Sequence, residues 1–147
     1  MARGLIIFDF NRTLYNPDED CLFEGVDYIL GAYSRKYILA VIAKGDQKRK
    51  ELLGRLGIEQ FFQSISFKES KSENDYRECL RKFNYNPNQC WSIGDRIKSE
   101  IAISKNLGLR TIWFKNGKFS NESPKDSYEQ PGYTITFMSE IKNIIPL

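Results

Sequence analysis

The chain has 147 residues, a length that suits one domain around one core. Hydrophobic residues make up 41% and aromatics 14%, enough to pack an interior and too many for a disordered chain. The net charge of +3 is compatible with a phosphorylated ligand or a nucleic acid, but charges scattered along the chain read first as a solvated surface.

Histidine is absent, which excludes Ser-His-Asp and Cys-His nucleophile pairs. Acid–base chemistry would fall to carboxylates, Lys, Tyr or Cys. Cys21, Cys79 and Cys90 have no paired spacing, so reduced thiols and a cytoplasmic setting are expected rather than a disulfide framework or a tetrahedral zinc site. The first residues lack a signal-peptide pattern, and no apolar run approaches the ~18 residues of a membrane span.

In chain order, Gly4 to Phe8 is an apolar run that ends in Asp9. It reads as a strand buried on both faces. Asn11, Arg12 and Thr13 form the turn after it, and Tyr15 to Asp20 reads as a polar loop whose three acids are solvated. They lack the spacing of a calcium-binding EF-hand loop. Apolar residues from Phe23 to Tyr33 predict a helix over 23–35, weakened by Gly25 and Gly31. Tyr37 to Ala43 is a second buried strand. Asp46 is a good N-cap for a helix over 47–56, and Gly57 a good stop. Gln63 to Phe67 alternates as a short strand, with Phe61 and Phe62 packed beneath the sheet. Ser72 and Asp75 resemble a capping box for a helix reaching Phe83.

Cys90 to Gly94 is a further apolar strand, ending in Asp95. A helix over 99–107, a strand over 109–114, a long polar loop over 115–130, a strand over 133–137 and a closing helix over 138–145 complete the chain. Loops of that length are uncommon in compact domains and are often functional or mobile. Strands alternating with helices predict a single α/β domain, residues 1–147, with a doubly wound, mostly parallel sheet.

In such sheets ligands bind outside the carboxyl ends of the strands. Asp9 and Asp95 both fall there. A buried carboxylate is unfavourable unless it is paired or holds a metal, although a lone Asp often only caps a turn. Two acids ending neighbouring strands can share one Mg²⁺, which is usually held by one or two carboxylates plus waters and phosphate oxygens. Glu100 follows one turn later.

Four strand-end groups occur in order: Asp9-Phe10-Asn11-Arg12-Thr13, then Ala43-Lys44-Gly45, then Lys71, then Gly94-Asp95 with Glu100. In this order they resemble the haloacid dehalogenase-like (HAD) superfamily, over nearly the whole chain from Leu5 to Ile145. Most members are Mg²⁺-dependent phosphatases that work through an aspartyl-phosphate. The resemblance implies a Rossmann-like three-layer core without a cap domain, since neither usual insertion point has room. It implies Asp9 as nucleophile, Lys71 as its cationic partner (Lys68 being the alternative), and Mg²⁺ held by Asp9, the Asn11 backbone carbonyl and Asp95. Glu100 would orient metal-bound water. Thr13, Ala43, Lys44 and Gly45 would border the phosphoryl group, and Arg12 could add a phosphate contact.

Two positions depart from the family pattern. The usual acid/base Asp is Asn11, which cannot exchange a proton at ordinary pH. Ala43 stands where the family has a hydroxyl. The resemblance therefore implies a phosphatase of low activity on a phosphorylated substrate. The alternative is a non-catalytic module that binds a phosphorylated ligand or a protein partner. A nucleic-acid substrate is weakly supported, a homo-oligomer stays open, and no membrane partner is expected.

Overall fold

A computed structural model describes residues 2–147. Strand β1 (Leu5–Phe8) is central. Its partners are β4 (Ile38–Lys44) on one side and β6 (Cys90–Gly94) on the other, both parallel, with Phe8 beside Val41 and Ile93. With β5 (Ser64–Lys68), β7 (Arg110–Phe114) and β8 (Tyr133–Ile135) the order is β5-β4-β1-β6-β7-β8, parallel throughout.

The alternation of side chains along β1 explains its unbroken apolar run. Ile6 and Phe8 join one core with Leu30 and Tyr33 of α1 (Val26–Tyr33) and Leu53 of α2 (Gln47–Arg55). Leu5 and Ile7 join the other with Tyr76, Cys79 and Leu80 of α3 (Glu73–Phe83). Both faces are covered, as parallel sheets require.

Local signals held at several boundaries. Asp46 accepts a hydrogen bond from Lys48 N at 3.0 Å and so caps α2, while Gly57 takes a φ of 76° just beyond it. Asp75 accepts from Ser72 N at 2.9 Å. Phe62 meets Phe8 edge-on at 6.2 Å.

Other boundaries moved. The segment after the first turn is a small hairpin rather than a loop, with β2 (Tyr15–Asn16) antiparallel to β3 (Cys21–Leu22). Its three acids are exposed, as expected, and two of them also have partners. Asp20 accepts from the Tyr15 hydroxyl at 2.6 Å and Asp18 pairs with Arg12 at 3.3 Å. Helix α1 starts at Val26 because Gly25 has a φ of 86°, which frees Phe23 to pack edge-on against Phe114. The closing segment is a 3₁₀ turn over Met138–Asn143 rather than an α-helix.

The helix after β6 also begins earlier than its apolar spacing suggests. It opens with a π-helical turn at Ile97–Ile101 and continues as α4 (Ala102–Asn106). Single π turns inside helices recur at functional sites. The 115–130 segment is anchored, not free. It holds a 3₁₀ turn at Gly117–Phe119, Asn116 donates to the carbonyl of Arg12 at 2.9 Å, and Glu122 accepts from Ile97 N at 2.9 Å.

Candidate active site

Asp9 continues β1 by one hydrogen bond, from its N–H to the carbonyl of Ile93 at 3.0 Å. The chain then curls tightly. The Phe10 carbonyl accepts from the N–H groups of Thr13, Leu14 and Tyr15, and Arg12 takes a φ of 61°. The curl rests on Phe10, which is fully buried and stacked on Tyr15. It returns the Thr13 hydroxyl to donate to Asp9 Oδ2 at 3.4 Å.

Lys71 lies one residue before the N-cap of α3. Its Nζ donates to Asp9 Oδ1 at 3.0 Å and to Glu100 Oε2 at 2.9 Å. The other Glu100 oxygen accepts from the N–H groups of Asp95 and Arg96, each at 3.0 Å. The π turn makes this possible by bringing Glu100 back beneath the end of β6. Only glycine fits at position 94, because a Cβ there would collide with the Glu100 side chain. Trp113 Nε1 donates to the Asp95 carbonyl at 2.8 Å and fixes the strand end from β7.

Asp9, Asp95 and Glu100 are all buried, and each offers an oxygen within 4.8 Å of the others. One lysine faces three carboxylates, and the ionisation shifts express that imbalance. Burial raises the Asp9 carboxyl above its usual range and the charge of Glu100 adds to this, against the pull of Lys71. Burial, then the charges of Asp9 and Glu100, push Asp95 up to about 10. Burial acts on Glu100 in the same sense, but the Lys71 ammonium outweighs it and holds Glu100 below the usual range. Burial would lower Lys71, yet Asp9 and Glu100 together hold it above its ordinary value. Buried carboxylates that do not ionise readily on their own form a site whose electrostatics improve when a divalent cation enters. This donor set of hard oxygens fits Mg²⁺ and not a thiolate-seeking metal.

Above these groups opens a cavity of about 410 Å³. Of the residues singled out from the sequence, Asp9, Asn11, Lys44, Gly45, Lys71, Asp95 and Glu100 line it. Thr13 and Ala43 do not. Thr13 is fully buried behind Asp9, and Ala43 is 1% exposed in the apolar core. Asn11 Oδ1 is buried without a hydrogen-bond partner. Arg12 leans on Asp18 and Gly117 rather than reaching the cavity.

Arg49, Arg96, Ser99, Lys118 and Phe119 also line the cavity and were missed. Arg49 belongs to α2, where the sequence reading followed only the apolar stripe. Lys118 and Phe119 come from the 115–130 loop, whose local sequence carries no sign of where it folds. Arg96 stacks on Phe119, 4.1 Å from its ring centroid, and pairs with Glu122 at 3.2 Å.

A sequence profile described as HAD-hydrolase-like matches residues 72–140. The glyceraldehyde 3-phosphate phosphatase of Pyrococcus furiosus is 28% identical over 115 residues, covering 74% of this chain and 48% of that protein. The chain thus spans about half the length of the curated relatives it matches. The 2-haloacid dehalogenase of Pseudomonas syringae superposes with a TM-score of 0.77 at 15% identity, covering 97% of each chain. A HAD-hydrolase from Bacillus subtilis, solved bound to magnesium, superposes with a TM-score of 0.74 at 18% identity, covering 86% of this chain and 57% of that one. With the parallel sheet and the strand-end groups in their order, these matches make the chain similar to the haloacid dehalogenase-like hydrolases in sequence, and the solved structures show that it shares their fold.

Proposed function

We propose that this chain is a Mg²⁺-dependent phosphatase that works through an aspartyl-phosphate on Asp9, with turnover limited by Asn11. The observation that carries this reading is the Lys71 ammonium set between Asp9 and Glu100, next to a third carboxylate, on the floor of a cavity. The names of the relatives, phosphatases acting on a small phosphate ester, agree with it, as does the magnesium in the Bacillus subtilis protein.

Asp9, Asp95 and the Asn11 backbone would hold the metal, with Glu100 beside them. When bound, the metal neutralises phosphoryl oxygens and lets an anionic nucleophile approach them. Asp9 supplies the carboxylate oxygen that bonds to phosphorus as the ester P–O bond breaks. Thr13 and Lys71 each hold one Asp9 oxygen by a hydrogen bond, so the nucleophile arrives oriented. Lys71 also faces the negative charge of the transferring group. The leaving oxygen must take its proton from water, because the Asn11 amide does not act as an acid at ordinary pH. Water then attacks the aspartyl-phosphate, which releases phosphate and regenerates Asp9. A second reading, a binding module without turnover, is favoured by Asn11 and Ala43 alone.

Beryllofluoride tests the nucleophile. With Mg²⁺ present, fluorine NMR is expected to show a bound signal that disappears in Asp9→Ala. No signal, or one that persists in the variant, refutes the site.

Metal binding should depend on pH in a set direction. The raised Asp9 and Asp95 carboxyls contribute stability that is full below their unfolded values near 4 and is lost as pH rises through the folded ones. A metal that takes the ionised forms reverses that loss. The rise in melting temperature on adding Mg²⁺ is therefore expected to be larger at pH 8.5 than at pH 6, and to vanish in Asp95→Ala. Equal rises at both pH values would count against a carboxylate-held metal.

A further inference from the structure

Three cations on the rim of the cavity lack an acidic partner. Lys44 ends β4, Arg49 stands in the first turn of α2, and Lys118 lies in the turn after β7. None makes an ion pair among the described residues. The neighbouring Asp46 is committed to capping α2. Glu69 shares an adjoining hollow with Lys44 and Arg49 but pairs with neither. Arg96, also on the rim, is already held by Glu122.

The rim is built rather than merely charged. A Cβ at Gly45 would stand 2.6 Å from Arg49 Cγ, so the absence of a side chain there lets the arginine stem cross the backbone. The Arg49 guanidinium then lies 5.9 Å from the Tyr15 ring centroid. Lys118 Nζ lies 5.0 Å from the centroid of Phe119.

These cations are not needed to balance the floor. There the three carboxylates face Lys71 and, on the reading above, a divalent metal. Against the nearby Asp46 and Glu69 the three cations leave the rim net positive, and it projects that field over whatever extends outward from the phosphoryl group. We infer that the substrate is a small phosphate monoester bearing a second anionic group, a carboxylate or another phosphate, received by Lys44, Arg49 and Lys118. The inference rests on the phosphatase reading of the floor and adds the substrate class.

A small molecule suits the observations better than a nucleic-acid end. The cavity of about 410 Å³ lies within the roughly 300–1,000 Å³ of small-ligand sites. Strand binding uses open aromatic faces on which bases stack. Phe119, the aromatic residue lining the cavity, is instead occupied by Arg96 and Lys118.

The test is calorimetric titration of the full chain, with Mg²⁺, against two matched esters. Glycerol 3-phosphate ends in a neutral alcohol and 3-phosphoglycerate in a carboxylate. The acid is expected to bind at least about tenfold tighter, an advantage that shrinks with added salt. In the double variant Arg49→Met, Lys118→Met the ratio should fall below about threefold. Equal affinities for the two esters, or a ratio unchanged in the double variant, overturn the assignment of the rim and leave the phosphatase reading standing. No binding of the acid also overturns it, and the beryllofluoride signal then shows whether the floor falls as well. A 5′-phosphorylated oligonucleotide that binds more than about tenfold tighter than 3-phosphoglycerate overturns it in favour of a nucleic-acid end.

Discussion

Asn11→Asp is expected to raise turnover of p-nitrophenyl phosphate by at least about tenfold, the low side of the range for general acid–base catalysis. The exchange is nearly isosteric. Asn11 lines the cavity and its Oδ1 has no hydrogen-bond partner to lose. A carboxyl there can protonate a departing oxygen, which the amide cannot. The new acid joins three carboxylates, and like charges raise one another's pKa. For a general acid that shift is useful, and Mg²⁺ with Lys71 limits its size. An alkyl phosphate, whose leaving group needs protonation more, should gain more than the nitrophenyl ester.

The second departure, Ala43, is less open to repair. Its methyl group is 1% exposed among core side chains. A hydroxyl placed there would need a partner or leave a buried polar group unpaired, at about 1–3 kcal/mol. The single Asn11→Asp variant is therefore the cleaner measurement. Steady-state rates of the folded, Mg²⁺-bound protein decide the matter. Rates that stay at background with both esters would make the binding module the better reading.

Lys71→Met should cost roughly 3–5 kcal/mol of stability in the absence of divalent cations, the usual result of removing one partner from a buried ion pair. Lys71 is 8% exposed and touches two buried carboxylates. Its removal leaves Asp9, Asp95 and Glu100 facing one another with no cation between them. The pH dependence separates charge from packing. Wild-type Lys71 is held above its ordinary value, so its contribution is full below the unfolded value near 10.4 and constant between pH 5 and 8. In the variant Asp9 and Glu100 lose that partner and rise. A raised carboxyl gives stability that is lost as pH climbs, so the deficit should be largest at pH 8 and shrink toward pH 5. Asp95→Asn removes a carboxyl that burial and its acidic neighbours force to take up a proton on folding, and should act the other way, stabilising the metal-free protein by roughly 0.5–2 kcal/mol while removing the response to Mg²⁺. Urea melts at the two pH values measure both. A Lys71→Met deficit below about 1 kcal/mol, or one independent of pH, would mean that solvent already screens the cluster.

What the sequence by itself determined is local or periodic. Runs such as Leu5 to Phe8 and Leu39 to Ala43 are apolar at every position, which suits only strands covered on both faces. Asp46, Ser72 with Asp75, and Gly57 mark helix ends by hydrogen bonds and backbone angles that span a few residues. The order of strand-end groups located Asp9, Asn11, Lys71, Asp95 and Glu100 at one edge before any contact between them was known. Tertiary structure decided the rest. The placement of β1 between β4 and β6, and so of Asp9 beside Asp95, follows from burying both faces of one sheet, a sum over many distant side chains. The wide turn that delivers Glu100 to Lys71 exists because Gly94 leaves room and two N–H groups await its carboxylate. The loop carrying Lys118 and Phe119 is held by Glu122 to the N–H of Ile97, 25 residues away. No periodicity encodes a single side chain that satisfies a distant backbone donor, so the strand-end groups, Lys44 of the rim included, were legible in the sequence, and Arg49, Lys118 and Phe119 were not.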